Sequence, residues 1–314
     1  MIYIFTFTGE FGYELLNWRS AIKKFKGTLR PNDKIICCSR KGLERIYDFS
    51  ICDQYIDISE LDQFINSEAD QYQCLPVVDG AGTRRGAKEF QLDLEKDVRN
   101  LVYDVTDVRN VDHQFIFSHN PTSRHGIQFG SGTIYSSPVL SNNTYSRIQT
   151  DNFECKPLVE AKLGFRLDQN YTLIQTAYRN TVRRSTVELD HDKLFKHFED
   201  DSKLVLLDFN TNRFNDSFSK FNYANRNKIS LDNFDEQACL IHFANQCIFL
   251  TEGDFRSHNY LPPLLGKDVV SVAPKDVLSL PSAAIDFWNK NVFTFGGQIM
   301  PLEYEQLIKD IDGK

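Results

Sequence analysis

Apolar residues along this chain alternate between short continuous runs, which are typical of strands, and spacings of three or four positions, which are typical of helices. In the first part of the chain, strand-like runs lie at 2–7, 33–39 and 54–59. Helical spacing is found at 13–25, 40–49 and 61–69. Strands that alternate with helices predict βαβ units and a mainly parallel sheet.

A second series of the same kind begins near Tyr171. Its predicted strands are 171–178, 203–209, 247–253 and a final one at 268–273, and its predicted helices are 189–200, 232–246, 257–266 and 302–311. The helix 189–200 has Asp190 or Asp192 at its start, and 155–165 is the connecting helix. The chain is therefore predicted to be α/β, with two doubly wound Rossmann-like domains, residues 1–155 and 156–314. Such domains face each other across a cleft lined by the carboxyl ends of their strands.

The stretch 79–152 between the two series has a looser pattern, with one strand at 114–118. The rest of it is Gly-rich or polar, and we expect loops there. They either cover a ligand or form an exposed insertion.

Length and composition support a globular protein of two domains. The chain has 314 residues, 41% of them hydrophobic and 25% charged, and a formal net charge of −7. This charge argues against broad, non-specific nucleic-acid binding, which requires clustered Lys and Arg, although a local basic region remains compatible with it. No apolar run approaches the ~18 residues of a membrane span, and the first residues lack a signal peptide's basic start. We expect a cytoplasmic enzyme without a membrane span.

The seven cysteines show no spacing typical of a metal site. They are Cys37, Cys38, Cys52, Cys74, Cys155, Cys239 and Cys247, with no CxxC pair among them. We expect buried, reduced thiols that pack as small apolar side chains. A zinc site is not predicted.

The first candidate for chemistry is the segment "GEFGYELLNW", 9–18, which directly follows the first strand. Gly9 and Gly12 allow the backbone to approach a ligand and leave the next helix start free for an anion, although a plain tight turn would also use them. Glu10 between them would point into the predicted cleft, and Gly9, Gly12 and Tyr13 would form the acceptor side of that cleft. Trp18 has the spacing of a core residue.

The second candidate is a cluster of arginines after the strand 171–178. Arg179, Arg183 and Arg184 lie within six residues. Guanidinium groups bind a diphosphate through charge and paired hydrogen bonds. The alternative is a solvated basic turn.

The third candidate follows the strand 247–253. It consists of Glu252, Gly253, Asp254, Ser257 and His258. Small residues at a helix start expose free backbone N–H groups to a phosphate. Glu252 would accept hydrogen bonds from sugar hydroxyls, or else form a salt bridge at the strand end.

These segments carry a resemblance to a known family. The stretch 236–272, which contains "CIFLTEGDFRSHNYLPPLLGKDVVSV", resembles the nucleotide-sugar-binding segment of GT-B glycosyltransferases. "GEFGYELLNW" resembles the opening motif of bacterial and phage glycosyltransferases of fucosyltransferase-like type, and "YRNTVRR" resembles their strand-end arginine motif, which contacts the donor pyrophosphate. The chain departs from the pattern at Asp254, where many relatives have a second glycine.

The resemblance implies a transferase that uses a nucleotide-diphosphate sugar as co-substrate and needs no metal and no other cofactor. Glu10 is then the candidate general base. Glu14 is the second candidate for that role, or else it positions the loop. The donor would be bound by the arginines at 179–184 and by the residues at 252–258.

Both the acceptor and the reaction class stay open from the sequence. The acceptor would be a glycan or, since the Asn-, Phe- and Asp-rich composition looks phage-like, a hydroxylated base in phage DNA. The loop 82–88 with Arg124 and His125 would then meet a phosphate backbone. The alternatives are a nucleotide-sugar epimerase or hydrolase with Glu252 or Asp254 opposite Glu10, and a non-catalytic sugar-phosphate-binding protein.

Overall fold

The computed structural model divides the chain into two compact units, Met1–Ser146 and Arg147–Lys314. It describes residues 1–7, 14–40, 42–61, 87–117, 147–177, 187–199, 203–208, 227–230, 234–251, 257–278 and 282–313. Within these ranges, no helix combines the length and the apolar character needed to cross a membrane.

The first unit contains a parallel sheet of four strands in the order β3-β2-β1-β4. The strands are β1 (Ile2–Thr6), β2 (Lys34–Ser39), β3 (Gln54–Asp57) and β4 (His113–Phe117). Its helices are a π-helical turn at Glu14–Trp18, which continues into α1 (Arg19–Lys26), and the long α2 (Ala87–Val105). All three described pairings in this sheet are parallel, as the alternating pattern predicts.

Successive residues of a strand point to opposite faces of the sheet. Both faces of this sheet therefore carry apolar side chains, and helices cover both. Phe5 packs edge-on against Phe25 of α1 and Trp18 of the π-helical turn. On the other face, Ile4 belongs to a core cluster with Val98 and Val102 of α2. Trp18 is buried, as predicted.

The expectation that the stretch 79–152 forms loops outside the strand 114–118 was wrong for α2. Leu94, Val98 and Val102 recur every four residues, and each is buried against the sheet. Charged residues fill most of the positions between them, and this kept the apolar content of the segment low enough to hide its helical period.

The helix predicted at 40–49 was also wrong. In the described part of that range, residues 40 and 42–49, the helical structure is a single 3₁₀ turn at Glu44–Ile46. Gly42 has φ +80°, a left-handed conformation that interrupts a right-handed helix. Ser50 N–H then donates to Asp48 Oδ1 at 2.8 Å and closes a tight turn. The predicted helix 61–69 lies almost entirely outside the described residues.

The second unit contains a parallel sheet of six strands in the order β10-β9-β8-β5-β6-β7. The strands are β5 (Tyr171–Ala177), β6 (Lys203–Asp208), β7 (Asn227–Ser230), β8 (Gln246–Thr251), β9 (Val269–Ala273) and β10 (Ile299–Glu303). The helices are α3 (Lys156–Leu163), α4 (His191–Glu199), α5 (Phe234–Phe243), α6 (Ser257–Leu264), α7 (Lys275–Leu278), α8 (Ser282–Asn291) and α9 (Tyr304–Asp312). The pattern did not predict β7, β10, α7 or α8, and the strand at 269–273 is not the last one.

Local signals correctly marked several boundaries of this unit. Lys193 N–H donates to Asp190 Oδ1 at 3.0 Å, so Asp190 caps α4. Gly266, at φ +78°, turns the chain from α6 towards β9. The described cysteines form no disulfide and all but Cys155 are buried, while Cys74 lies outside the described residues. The two doubly wound parallel sheets confirm the predicted α/β fold class.

Candidate functional site

The order of the six-stranded sheet creates a switch point between β5 and β8. The chain leaves β5 towards β6 and β7, and then returns on the other side of β5 to form β8. Helices that follow the two strands therefore leave in different directions and open a crevice at the carboxyl edge, where ligands bind in doubly wound sheets. Ala177 and Thr251 are register partners in this pair, so β5 and β8 end at the same point of the edge.

The predicted donor-binding segments follow these two strand ends directly. Arg179, Arg183 and Arg184 come after β5, and Glu252, Gly253 and Asp254 come after β8; all six lie outside the described residues. Ser257 and His258 form the backbone start of α6, and their side chains are not described. The topology brings the two segments to one edge, while the roles of the individual side chains stay predictions.

Buried polar residues that sequence reasoning missed lie beneath this edge. Asn259, in the first turn of α6, donates from Nδ2 to Ser271 Oγ at 2.8 Å and to Thr251 Oγ1 at 3.4 Å. Gln175 of β5 is also buried, and its Nε2 has no hydrogen-bond partner among the described residues. A polar residue inside an otherwise apolar strand or helix is the signal that would have identified both.

The four-stranded sheet has a switch point of the same kind between β1 and β4. The order β3-β2-β1-β4 places these strands side by side, with Thr6 and Phe117 in register. The segment that follows β1 carries Gly9, Glu10, Gly12 and Tyr13, all outside the described residues. Their predicted roles therefore stay predictions at a topologically suitable position.

Glu14, the second candidate for the general base, is the one predicted catalytic residue that the described part of the chain contains. Its side chain is 0% exposed. Oε1 accepts hydrogen bonds from the hydroxyls of Ser39 and Tyr47, the latter at 2.6 Å. Oε2 lies 3.9 Å from Nη1 of Arg40, which is itself buried. The carboxylate is thus surrounded by two donors and a cation.

Burial dominates the electrostatics of Glu14. Removal from water raises the pKa of this carboxyl above its usual value, while Arg40 and the hydroxyls of Ser39 and Tyr47 act in the opposite direction. A general base must reach the hydroxyl proton that it removes. A fully buried carboxylate whose Oε1 already accepts two hydrogen bonds is better suited to holding the start of the π-helical turn, and we retain Glu10 as the predicted base.

A second buried cation, Arg19, supports this cluster. Its Nε donates to the carbonyl oxygen of Ile46 at 2.6 Å, and Nη2 lies 4.0 Å from Asp48 Oδ2. Burial lowers the pKa of Arg19 to about 10, so the side chain keeps its charge at neutral pH. The two contacts hold the segment around Tyr47 against α1 and so fix the hydroxyl that binds Glu14.

Ser39, Arg40 and Tyr47 were not among the predicted site residues. Ser39 ends β2, and Arg40 follows it at the carboxyl edge of the sheet, beside the end of β1. A position directly after a buried strand is the signal that led to Glu10, and it applies equally to Arg40. Tyr47 gave no such signal because it lies in the segment that was predicted to be helical.

Two further features bear on the chemistry. Among the residues that the structure describes, no group of three or more His, Cys, Asp or Glu side chains could hold a metal ion. A cavity of about 330 Å³ lies at the amino ends of β8 and β9, where Gln246 and Lys267 line it. This is the edge of the sheet opposite the switch point, so the cavity is separate from the candidate site.

Comparison with other proteins identifies the fold. No protein-family model and no curated sequence matches the chain. The glycosyl transferase family 9 protein from Veillonella parvula aligns over 99% of this chain and 88% of its own, with a TM-score of 0.52 and 10% identity. ADP-heptose lps heptosyltransferase II of E. coli aligns over 100% of this chain and 98% of its own, with a TM-score of 0.52 and 8% identity.

This chain has a GT-B glycosyltransferase-like fold. The GT-B fold agrees with the two doubly wound sheets and with the expected fold class. At such low identity the likeness extends to the fold alone, so substrate and reaction have to be argued from the residues of this chain. The finer assignment to the fucosyltransferase-like type stays a prediction.

Proposed function

We propose that the protein is a glycosyltransferase that moves a sugar from a nucleotide-diphosphate sugar to a hydroxyl acceptor. The observation that carries the proposal is topological. In each doubly wound sheet, the segments that are predicted to carry the site residues follow strands at the switch point, where such sheets bind ligands. The GT-B fold is consistent with this.

The donor diphosphate is assigned to the switch point of the second sheet. Arg179, Arg183 and Arg184 would neutralise its charge, and the free backbone N–H groups at the start of α6 would donate hydrogen bonds to its oxygens. These groups would supply positive charge where the departing diphosphate develops negative charge. Electrostatic stabilisation of this kind is usually the largest single contribution to an enzyme's rate enhancement. We therefore propose a reaction that needs no bound metal.

The acceptor is assigned to the first unit. Its hydroxyl oxygen forms the new bond to the anomeric carbon, the bond between that carbon and the diphosphate oxygen breaks, and the nucleoside diphosphate leaves. Glu10 would take the hydroxyl proton as general base. Glu14, held by Ser39 and Tyr47, would fix the π-helical turn that follows the Glu10 segment.

The chemistry of the acceptor is shared by two sources, a glycan and a hydroxylated base in phage DNA. Both present a primary or secondary hydroxyl to the proposed general base, Glu10. The net charge of −7 disfavours extended contact with a phosphate backbone, so a glycan is the acceptor that we propose to test first.

Release of nucleoside diphosphate tests the function. The protein is incubated with a panel of nucleotide-diphosphate sugars, with and without an acceptor. The acceptor is either a mixture of oligosaccharides or DNA that contains a hydroxylated base. A transferase releases the nucleoside diphosphate only when an acceptor is present. Release without an acceptor would indicate a hydrolase, conversion of the sugar without release an epimerase, and binding without turnover a non-catalytic protein.

A further inference from the structure

Asn259 connects the first turn of α6 to two strands of the sheet. Its Nδ2 donates to Ser271 Oγ in β9 at 2.8 Å and to Thr251 Oγ1 at the end of β8 at 3.4 Å. Asn259 and Ser271 are 0% exposed, and Thr251 is 1% exposed. One side-chain amide therefore links a helix start to the end of β8 and to the middle of the neighbouring strand β9, away from water.

The α6 helix depends on such contacts because its own backbone bonding is incomplete. Pro262 and Pro263 lie inside it, and neither has an N–H to donate to the preceding turn. Apolar packing holds the later part of the helix, where Leu261 and Leu264 are buried and the Tyr260 ring lies 4.5 Å from that of Trp288. In the first turn, Asn259 supplies directional hydrogen bonds, which fix both the depth and the rotation of the helix start.

We propose that Asn259 is a positioning residue for the donor diphosphate. It holds the start of α6 at the position, relative to β8 and β9, where the free backbone N–H groups reach the phosphate oxygens. The inference rests on the proposed function, since it requires a donor at this helix start. Misplacement of a binding group by about 1 Å is enough to cost a large factor in binding or rate.

The test compares nucleotide binding with folding stability. Calorimetric titration of the wild type with UDP, CDP, GDP and ADP first selects the nucleotide that binds. Asn259→Leu, which keeps the size of the side chain and removes its hydrogen bonds, is then expected to raise the Kd of that nucleotide at least tenfold. In turnover assays the donor KM should rise, and the acceptor KM should stay unchanged.

Two sets of variants separate positioning from general destabilisation. Thr251→Val removes the hydroxyl at nearly constant shape and should weaken binding, whereas Thr251→Ser keeps the hydroxyl and should bind like the wild type. Leu307→Ala is the stability control. Leu307 packs with Leu250 and Val272 on the opposite face of the sheet, so this variant should lower the melting temperature and leave the nucleotide Kd unchanged.

Each outcome decides one question. If no nucleoside diphosphate binds the wild type, the proposed function fails and the inference fails with it. If a nucleotide binds but its Kd is the same in Asn259→Leu, the positioning role is refuted and the proposed function stands. Equal weakening in Leu307→Ala, or equal loss in both Thr251 variants, also refutes it. If Asn259→Leu does not fold, Ser271→Ala replaces it, with the same expected rise in Kd.

Discussion

Replacing Tyr47 with Phe should reveal the charge state of the buried Glu14 carboxyl. The change removes one hydroxyl, which donates to Glu14 Oε1 at 2.6 Å, and leaves the ring in place, so it creates almost no cavity. A hydrogen bond to a charged group contributes about 1.5–3 kcal/mol, and one between neutral groups about 0.5–1.5 kcal/mol. The free energy of unfolding should therefore fall by about 1.5–3 kcal/mol while Glu14 is ionised, and by about 0.5–1.5 kcal/mol while it is protonated.

The sign of the pH dependence follows from the pKa shifts. Burial raises the pKa of Glu14 in the folded protein, so its contribution to stability is present at low pH and is lost as the pH rises through the folded pKa. The Tyr47 hydroxyl opposes that rise. Without it the folded pKa is higher still, and the loss with rising pH is larger. The difference between variant and wild type should thus grow with pH, in a window above the ordinary pKa of a glutamic acid.

The measurement is urea unfolding at a series of pH values, followed by tryptophan fluorescence. The chain has two tryptophans, and in a Trp288→Phe background the remaining Trp18 reports on the first unit. This matters because a chain of two compact units need not unfold in one step. Tyr55→Phe is the matched control. Its hydroxyl donates to the backbone carbonyl oxygen of Arg40, a neutral acceptor, and it feels the charge of Glu14 without a hydrogen bond to it, so its cost should be about 0.5–1.5 kcal/mol and should change less with pH than the cost of Tyr47→Phe.

Equal, pH-independent costs in the two tyrosine variants would refute this reasoning. They would mean that the Tyr47 hydroxyl does not bind an ionisable carboxylate, and that Glu14 stays in one protonation state throughout. A larger cost of Tyr47→Phe at low pH than at high pH would mean that the Tyr47 hydroxyl stabilises the protonated form of Glu14, which is the opposite of the effect assigned to it.

Three further predictions concern the candidate site and the fold. Glu10→Gln should lower turnover by ~10²–10⁴ and leave nucleotide affinity unchanged; comparable loss in Glu14→Gln, with Glu10→Gln near wild type, would transfer the role of base. Arg183→Ala should weaken nucleoside diphosphate binding by roughly 1.5–3 kcal/mol in calorimetry, and an unchanged Kd would contradict the donor assignment. Gly297→Ala should cost about 1–3 kcal/mol of stability, because a Cβ there would lie 2.7 Å from the backbone of Pro263; an unchanged melting temperature would show that the backbone yields.

The strands at the centre of each sheet were predictable from the chain alone. β1, β2, β5 and β8 are buried on both faces, and a strand in that position needs an almost continuous apolar run. Since the polar segments of interest come directly after these runs, their place at strand ends followed as well. The edge strands β7 and β10 were missed, since their short and partly polar sequences become strands through pairing with β6 and β9.

Strand order and the surroundings of Glu14 came from the tertiary structure. The alternating pattern predicts parallel strands in either sheet but does not say that β1 lies between β2 and β4, or β5 between β6 and β8. Ser39 and Tyr47 are 25 and 33 residues from Glu14, and parallel pairing of β1 with β2 brings them to its carboxylate. A local pattern carries no information on such distant partners, because the free energy that selects them comes from burying the whole sheet between its helices.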